Sequence, residues 1–146
     1  MSFRAPVLLS TLVLFAYPLL AQGPYWGMTS SGGSFGVGTI YTITESNVFT
    51  TKHNFLRFDG STPKGDVVKA SNGLYYGVTE VGGTGGVGVL FSFNPSNGTY
   101  TVLHNFNSST TGAQPLRGPV IANNGRLYGT CSSGGANNVG TLWEYN

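Results

Sequence analysis

The chain has 146 residues, enough for one domain of ordinary size. Only 8% of its residues are charged, 13% are aromatic and 23 are glycine, which excludes the charge-rich, aromatic-poor composition of a disordered chain. The formal net charge of +2 comes from scattered basic residues, so the sequence predicts neither a nucleic-acid partner nor attraction to an anionic membrane surface.

Residues 1–22 are typical of a secretory signal peptide. Arg4 precedes an apolar stretch of about 15 residues that ends at Leu20, and Ala21 is a small residue suited to the cleavage position. A retained membrane anchor is the alternative, although about 20 apolar residues are needed to span a bilayer. We therefore expect a secreted or cell-surface protein, extracellular or periplasmic, with no membrane contact after cleavage of the signal peptide.

A glycine-rich pattern recurs three times after this leader. Gly27, Gly77 and Gly129 are 50 and 52 residues apart, and His53 and His104, each followed by Asn-Phe, are 51 apart. A period near 50 residues is typical of a kelch-type propeller blade. The glycines that repeat are expected to serve turns and close backbone approach. They are Gly27, Gly32, Gly33, Gly77, Gly82, Gly83, Gly129, Gly134 and Gly135.

The middle repeat predicts four strands joined by turns. Alternating and β-branched residues mark them, and Asn72-Gly73 is a strong hairpin signal between the first two. No stretch after the leader has helical periodicity. The predicted strands are 66–70, 74–79, 89–93 and 99–106.

The fold prediction is an all-β domain over 23–146, a partial β-propeller of about three antiparallel blades. Their approximate ranges are 25–58, 63–107 and 115–146. The first blade lacks the strand that would precede Tyr25, and the last lacks the strand containing His-Asn-Phe. Because closed propellers have 4 to 8 blades, three blades form an arc. Either self-association closes a ring, or the chain is an open part of a longer propeller.

Two segments resemble a known repeat. Leu127 to Trp143 contains Tyr-Gly, Gly-Gly and Gly-Thr-Leu-aromatic at fixed spacing, and Val102 to Phe106 contains Val-Leu-His-x-Phe. Together they are similar to the GloVer (Gloeo/Verruco) repeat of secreted proteins. That resemblance implies an exported, β-propeller-like repeat protein with no established catalytic activity. A looser likeness to kelch blades rests on Gly82-Gly83 followed by an aromatic strand.

Residues that often perform chemistry have structural interpretations here. His53 and His104 could be metal ligands or general bases, but a position shared by repeats favours packing within each blade. Cys131 is interpreted as a buried, inert thiol at a position equivalent to Met28 and Val78. The run from Gly83 to Gly88 matches a dinucleotide fingerprint, yet a strand follows it where a helix is needed. No catalytic residue, cofactor or metal is predicted.

The carboxylates do not recur between repeats, whereas a glycosidase needs two that face each other across a cleft. They are Glu45, Asp59, Asp66, Glu80 and Glu144. The segment 59–66 is an alternative calcium loop. Asn97 and Asn107 begin glycosylation sequons, which matter only in a eukaryotic host.

The aromatic residues divide into a predicted core and a predicted surface. Trp26, Tyr76 and Tyr128 share one repeat position and are assigned to the core between blades. Strand alternation places the preceding Tyr25 and Tyr75 on the opposite face, where contact with a ligand is possible. The candidate ligand contacts, which include two variable loop tips, are Tyr25, Phe35, Tyr75 and Asn137.

The function that the sequence favours is a non-catalytic extracellular repeat module for binding or surface architecture. One alternative is a glycan-binding lectin assembled by oligomerisation of partial propellers. A second alternative is a hydrolase or lyase that acts on polysaccharide. The expected partners are a second copy of the chain and a glycan or other cell-surface component.

Overall fold

The computed structural model describes residues 23–146, so the predicted signal peptide lies outside the described residues. These residues form eleven β-strands and no helix, which confirms the all-β prediction. The strands are β1 (Tyr25–Thr29), β2 (Thr39–Ile43), β3 (Phe49–Asn54), β4 (Val68–Lys69), β5 (Tyr75–Thr79), β6 (Val89–Phe93), β7 (Tyr100–Asn105), β8 (Ala113–Pro115), β9 (Val120–Ile121), β10 (Leu127–Ser133) and β11 (Thr141–Tyr145).

The strands form three antiparallel sheets that follow the sequence repeat. Sheet 1 has the order β1-β2-β3, sheet 2 has β4-β5-β6-β7, and sheet 3 has β11-β10-β8 with β9 also paired to β10. Sheets 1 and 2 are meanders, as predicted. Sheet 3 contains four strands where the sequence predicts three. The additional strand is β8, which pairs with the end of β10 at Cys131 and Ser133.

One pair of neighbouring strands has the same register in all three sheets: β1–β2 in sheet 1, β5–β6 in sheet 2 and β10–β11 in sheet 3. In each, a glycine of one strand lies opposite an aromatic residue of the next: Gly27 and Tyr41, Gly77 and Phe91, Gly129 and Trp143.

This register corrects one alignment made from the sequence. Cys131 pairs with Thr141, as Thr79 pairs with Val89. Cys131 is therefore equivalent to Thr79, and not to Val78 or Met28. Its burial, with 5% of its surface exposed, agrees with the prediction.

The first strand of sheet 2 is shorter than predicted, since β4 comprises only Val68–Lys69. The residues before it approach the corresponding segment before β9 instead of pairing within the sheet. A Cβ atom on Gly65 would lie 2.6 Å from the carbonyl carbon of Arg117, so the backbones touch at this point. Contact between two repeats therefore replaces sheet pairing here.

The side chains of β6 alternate between two cores, one on each side of sheet 2. Phe91 and Phe93 pack toward sheet 1 in a cluster with Ile40 and Phe55. Leu90 faces the other way, in a cluster whose other buried members are Val78, Phe106, Leu127, Cys131 and Trp143. Sheet 2 is thus buried on both faces, and sheets 1 and 3 cover it from opposite sides.

Neighbouring sheets are also joined by a backbone hook that recurs. The amide of Thr62 donates to the carbonyl of Val37, and the amide of Gln114 donates to that of Val87, both at 2.9 Å. Thr62 and Gln114 have positive φ angles of 54° and 57°. The residue after each is a fully buried proline, Pro63 or Pro115. This hydrogen bond holds each repeat against the glycine-rich connector of the preceding repeat, 30–38 or 80–88.

Candidate functional site

The glycine-rich connectors that join β1 to β2 and β5 to β6 are held by asparagine side chains. Oδ1 of Asn105 accepts a hydrogen bond from the amide of Thr84 at 2.8 Å, and Oδ1 of Asn54 accepts one from Ser34 at 2.9 Å. A Cβ atom on Gly83 would lie 2.5 Å from that Asn105 oxygen. The asparagine of each His-Asn-Phe motif therefore fixes a loop, and the adjacent glycine gives it room.

The two repeated histidines lie in the cores between sheets, beside the phenylalanine of their own motif. The ring of His53 stacks on Tyr100, with centroids 4.2 Å apart and an interplanar angle of 4°. Burial lowers the pKa of His53, which the charge of Asp59 opposes in part. His104 occupies the equivalent position, and its Nε2 lies 3.2 Å from Oγ1 of Thr111. Both histidines thus have packing roles in the structure.

The four candidate ligand contacts do not lie together on one surface. Tyr25 and Phe35 expose 54% and 59% of their surface, and Asn137 is also exposed at its loop tip. Tyr75 is only 9% exposed, because Trp26 of sheet 1 stacks on it at 4.5 Å. The prediction of an exposed Tyr75 is therefore wrong. Sheet 1 covers this face of β5, whereas the alternation of one strand indicates only which residues share a face.

Most described carboxylates have a structural partner. Oδ1 of Asp59 accepts the amide of Leu56 at 2.8 Å and so closes a turn. Glu80 pairs with Lys64 at 2.7 Å, and Glu144 pairs with Arg126. Within residues 23–146, no three histidine, cysteine or acidic side chains are grouped as metal ligands.

A cavity of about 600 Å³ lies where the segments before β4 and β9 meet. One carboxylate, Asp66, lines it together with two cationic side chains, Lys64 and Arg117. All three of these residues are exposed. The arrangement supplies a single carboxylate to this cavity, where acid–base cleavage of a glycoside needs two.

A smaller cavity of about 80 Å³ lies beside His104, at the edge of the core between sheets 2 and 3. Its lining includes Phe106, Thr111 and Trp143. Trp143 is 8% exposed, and its buried Nε1 has no hydrogen-bond partner within residues 23–146. No sequence pattern indicates this cavity, because side chains of two different sheets line it.

The sequence of the chain matches the model of a protein family. The model of the Gloeobacter/Verrucomicrobia repeat matches residues 16–146, most of the chain. The chain belongs to this family. No curated protein and no solved structure shows significant similarity to it. The resemblance inferred from the Tyr-Gly, Gly-Gly and His-Asn-Phe positions is thereby confirmed.

The positions that recur between the repeats of this chain have identifiable structural roles. The Tyr-Gly glycine faces an aromatic ring, the Gly-Gly pair forms the connector, and the asparagine fixes that connector. The recurring glycines and asparagines therefore maintain the structure of each repeat.

In residues 23–146, no helix is long and apolar enough to cross a membrane.

Proposed function

We propose that the chain is a non-catalytic module of the cell exterior, used for binding or surface architecture, and that its three sheets are blades of a partial β-propeller. One observation carries this proposal. The outer faces of sheets 1 and 3 present the residue types that are buried where sheets meet inside the chain. A surface that repeats the chemistry of an internal interface is suited to association with another sheet of the same kind.

The outer face of sheet 3 contains the clearest example. Leu142 lies in β11 where Leu90 lies in β6 and Ile40 in β2, as the shared register shows. Leu90 and Ile40 are 1% and 0% exposed, whereas Leu142 is 76% exposed. Covering this leucine would remove apolar surface from water, at about 25 cal/mol for each Å².

The outer face of sheet 1 is the complementary half of the same interface. Tyr41 occupies the position of Phe91 and Trp143. The rings of Phe91 and Trp143 pack against the neighbouring sheet in the two internal interfaces. Phe49 stacks on Tyr41 at 4.8 Å and remains 53% exposed. Sheet 1 thus presents an aromatic face of the type that packs against Ile40 and Leu90 elsewhere.

A second copy of the chain has both halves of this interface. Its sheet 1 can cover Leu142 of the first copy, while its own Leu142 is covered in return. Two copies joined in this way contribute six sheets, a number that closed propellers accept. The contact is between unlike faces, so the angle between successive sheets determines whether it closes a ring.

The molar mass in solution tests this proposal. We expect the full chain, expressed in an exporting host and purified, to form a dimer whose population rises with concentration. Leu142→Asp should shift it to monomer, because an unpaired carboxylate would be buried at the contact. Val139→Asp is the matched control, since Val139 is 81% exposed in a connector. A monomeric parent chain, or equal effects of the two variants, would contradict the proposal.

A lectin function is the second candidate, and two exposed phenylalanines favour it. Phe35 and Phe58 expose 59% and 71% of their surface. They lie in the connectors at one end of sheet 1, since Thr39 at the start of β2 pairs with Asn54 at the end of β3. Flat exposed rings can stack on sugars. A glycan array in which Phe35→Ser with Phe58→Ser abolishes the signal of the parent chain would support it, and an array with no parent signal would count against it.

A further inference from the structure

The interface between sheets 1 and 2 contains a tyrosine that the interface between sheets 2 and 3 lacks. Tyr100, from β7, stacks on His53 and lies 5.7 Å from Phe55 and 5.0 Å from Phe91. Its hydroxyl donates a 2.8 Å hydrogen bond to the carbonyl of Asp59. Tyr100 is therefore enclosed by a histidine, two aromatic rings and a loop carbonyl.

The same surroundings recur one repeat later, around the 80 Å³ cavity. Four of its seven lining residues, His104, Phe106, Trp143 and Thr111, correspond in the repeat to His53, Phe55, Phe91 and Asp59. The other three are Leu90, Glu144 and Tyr145. Phe106 and Trp143 are 5.5 Å apart, as are Phe55 and Phe91. The cavity thus repeats the histidine and aromatic surroundings of the Tyr100 ring, without a side chain in the place of Tyr100.

The backbone beside this cavity is also open. In sheet 2, β6 pairs with β7 through Phe93 and Tyr100, and in sheet 1, β2 pairs with β3. Within residues 23–146, β11 pairs only with β10. Tyr145 of β11 lies at the position of Phe93, next to which Tyr100 enters. A strand added to β11 in the register of β7 would place one side chain at the cavity.

The cavity is continuous with the existing interface between sheets 2 and 3. Leu90, Phe106 and Trp143 belong both to the cavity lining and to the core of that interface. Filling the cavity would therefore extend a core that is already packed.

From these observations we propose that β11 and the cavity beside His104 form a binding site for an extended peptide strand that carries a tyrosine or phenylalanine. The strand pairs with the open edge of β11, and its aromatic ring stacks on His104. This is strand addition combined with a side-chain pocket: the backbone supplies affinity and the pocket supplies specificity. The site differs from the outer-face contact proposed above, because it lies at the edge of sheet 3 and not over Leu142.

A synthetic peptide tests the site directly. The probe is a fluorescently labelled copy of residues 98–106, which contains β7 with Tyr100, titrated against the full chain and followed by fluorescence anisotropy. We expect saturable binding, and a loss of about tenfold or more when the tyrosine of the peptide is replaced by alanine, because ring stacking and burial are lost. Absent binding, or equal binding of the alanine peptide, would overturn the proposal.

Protein variants assign the binding to this cavity. His104→Ala should weaken binding of the tyrosine peptide. His53→Gln should leave binding unchanged, because Tyr100 already occupies the space beside His53. Thermal unfolding of both variants establishes that they are folded. Hydrogen exchange should show new protection of amides in Thr141–Tyr145 when the peptide is bound. If N-acetyltyrosine amide binds as tightly as the peptide, or if His104→Ala has no effect, strand addition at this site is wrong.

Discussion

The ring of Phe91 lies over Gly77 of the neighbouring strand, where a Cβ atom would stand 2.5 Å from Cζ of the ring. The same contact recurs between Gly27 and Tyr41, where a Cβ atom would stand 2.7 Å from the tyrosine hydroxyl. The Tyr-Gly element of the repeat is thus required by the aromatic residue opposite it in the sheet. The glycine allows a large ring to lie flat on the strand and fill the core.

Gly77→Ala should destabilise the fold by about 1–3 kcal/mol, because the new methyl group overlaps a ring that is enclosed on its other side. Chemical denaturation measures the loss. Phe91→Leu alone should also destabilise, but the double variant should lose less than the sum of the two, since the smaller side chain makes room for the methyl group. Additive losses would show that the glycine has another role.

Asn105→Ala should cost about 1–2 kcal/mol of stability, because the amide of Thr84 would lose its acceptor and the connector its anchor. Asn105→Asp retains an acceptor oxygen at the same place and should retain most of the stability. Denaturation midpoints of the two variants give the comparison. A loss as large in the aspartate variant as in the alanine variant would exclude the hydrogen bond as the cause.

Thr62→Asn should stabilise the chain by about 1 kcal/mol, since a β-branched residue is unfavourable at positive φ and asparagine tolerates it. The hook between sheets is made by the backbone of Thr62 and is retained. Thr50→Asn, at an exposed position in β3, is the control and should give no increase in stability. Equal responses at the two positions would show that the φ angle of Thr62 carries no strain.

Stability should fall as the pH is lowered below 6.5, because His53 is held neutral in the core. Burial lowers its pKa from the ordinary value of 6.5, so the unfolded chain binds a proton that the folded chain resists. The contribution is complete above pH 6.5 and is lost progressively in more acidic solution. In His53→Gln this dependence should be weaker than in the parent chain. Unfolding free energies of the two chains, measured from pH 6.5 down to about pH 5, give the two slopes, and equal slopes would contradict the prediction.

The repeat period and two of the strands are predictable from the sequence, because local patterns indicate them. The repeat of Gly27, Gly77 and Gly129 indicates the period. The apolar run in 89–93 and the residue alternation in 99–106 indicate β6 and β7 closely. These signals are local, because a strand has its alternation wherever its partners lie. The all-β class and the family follow from such signals alone.

The features that the sequence did not predict depend on contacts between sheets. Tyr75 is buried because Trp26 covers it from another repeat, and β4 is short because Gly65 touches the backbone before β9. The cavity beside His104 lies between sheets 2 and 3, so the sequence of one sheet does not indicate it. No local pattern indicates which face of a strand another sheet covers.

Cysteine cross-linking shows whether the outer faces of sheets 1 and 3 form one interface between copies. Leu142→Cys and Tyr41→Cys are prepared as separate single variants, while the native Cys131 is buried. On mixing and oxidation, we expect a disulfide-linked pair containing one copy of each variant. Leu142→Cys alone should link poorly to itself. Equal or preferred linkage between two Leu142→Cys copies would contradict the pairing of unlike faces.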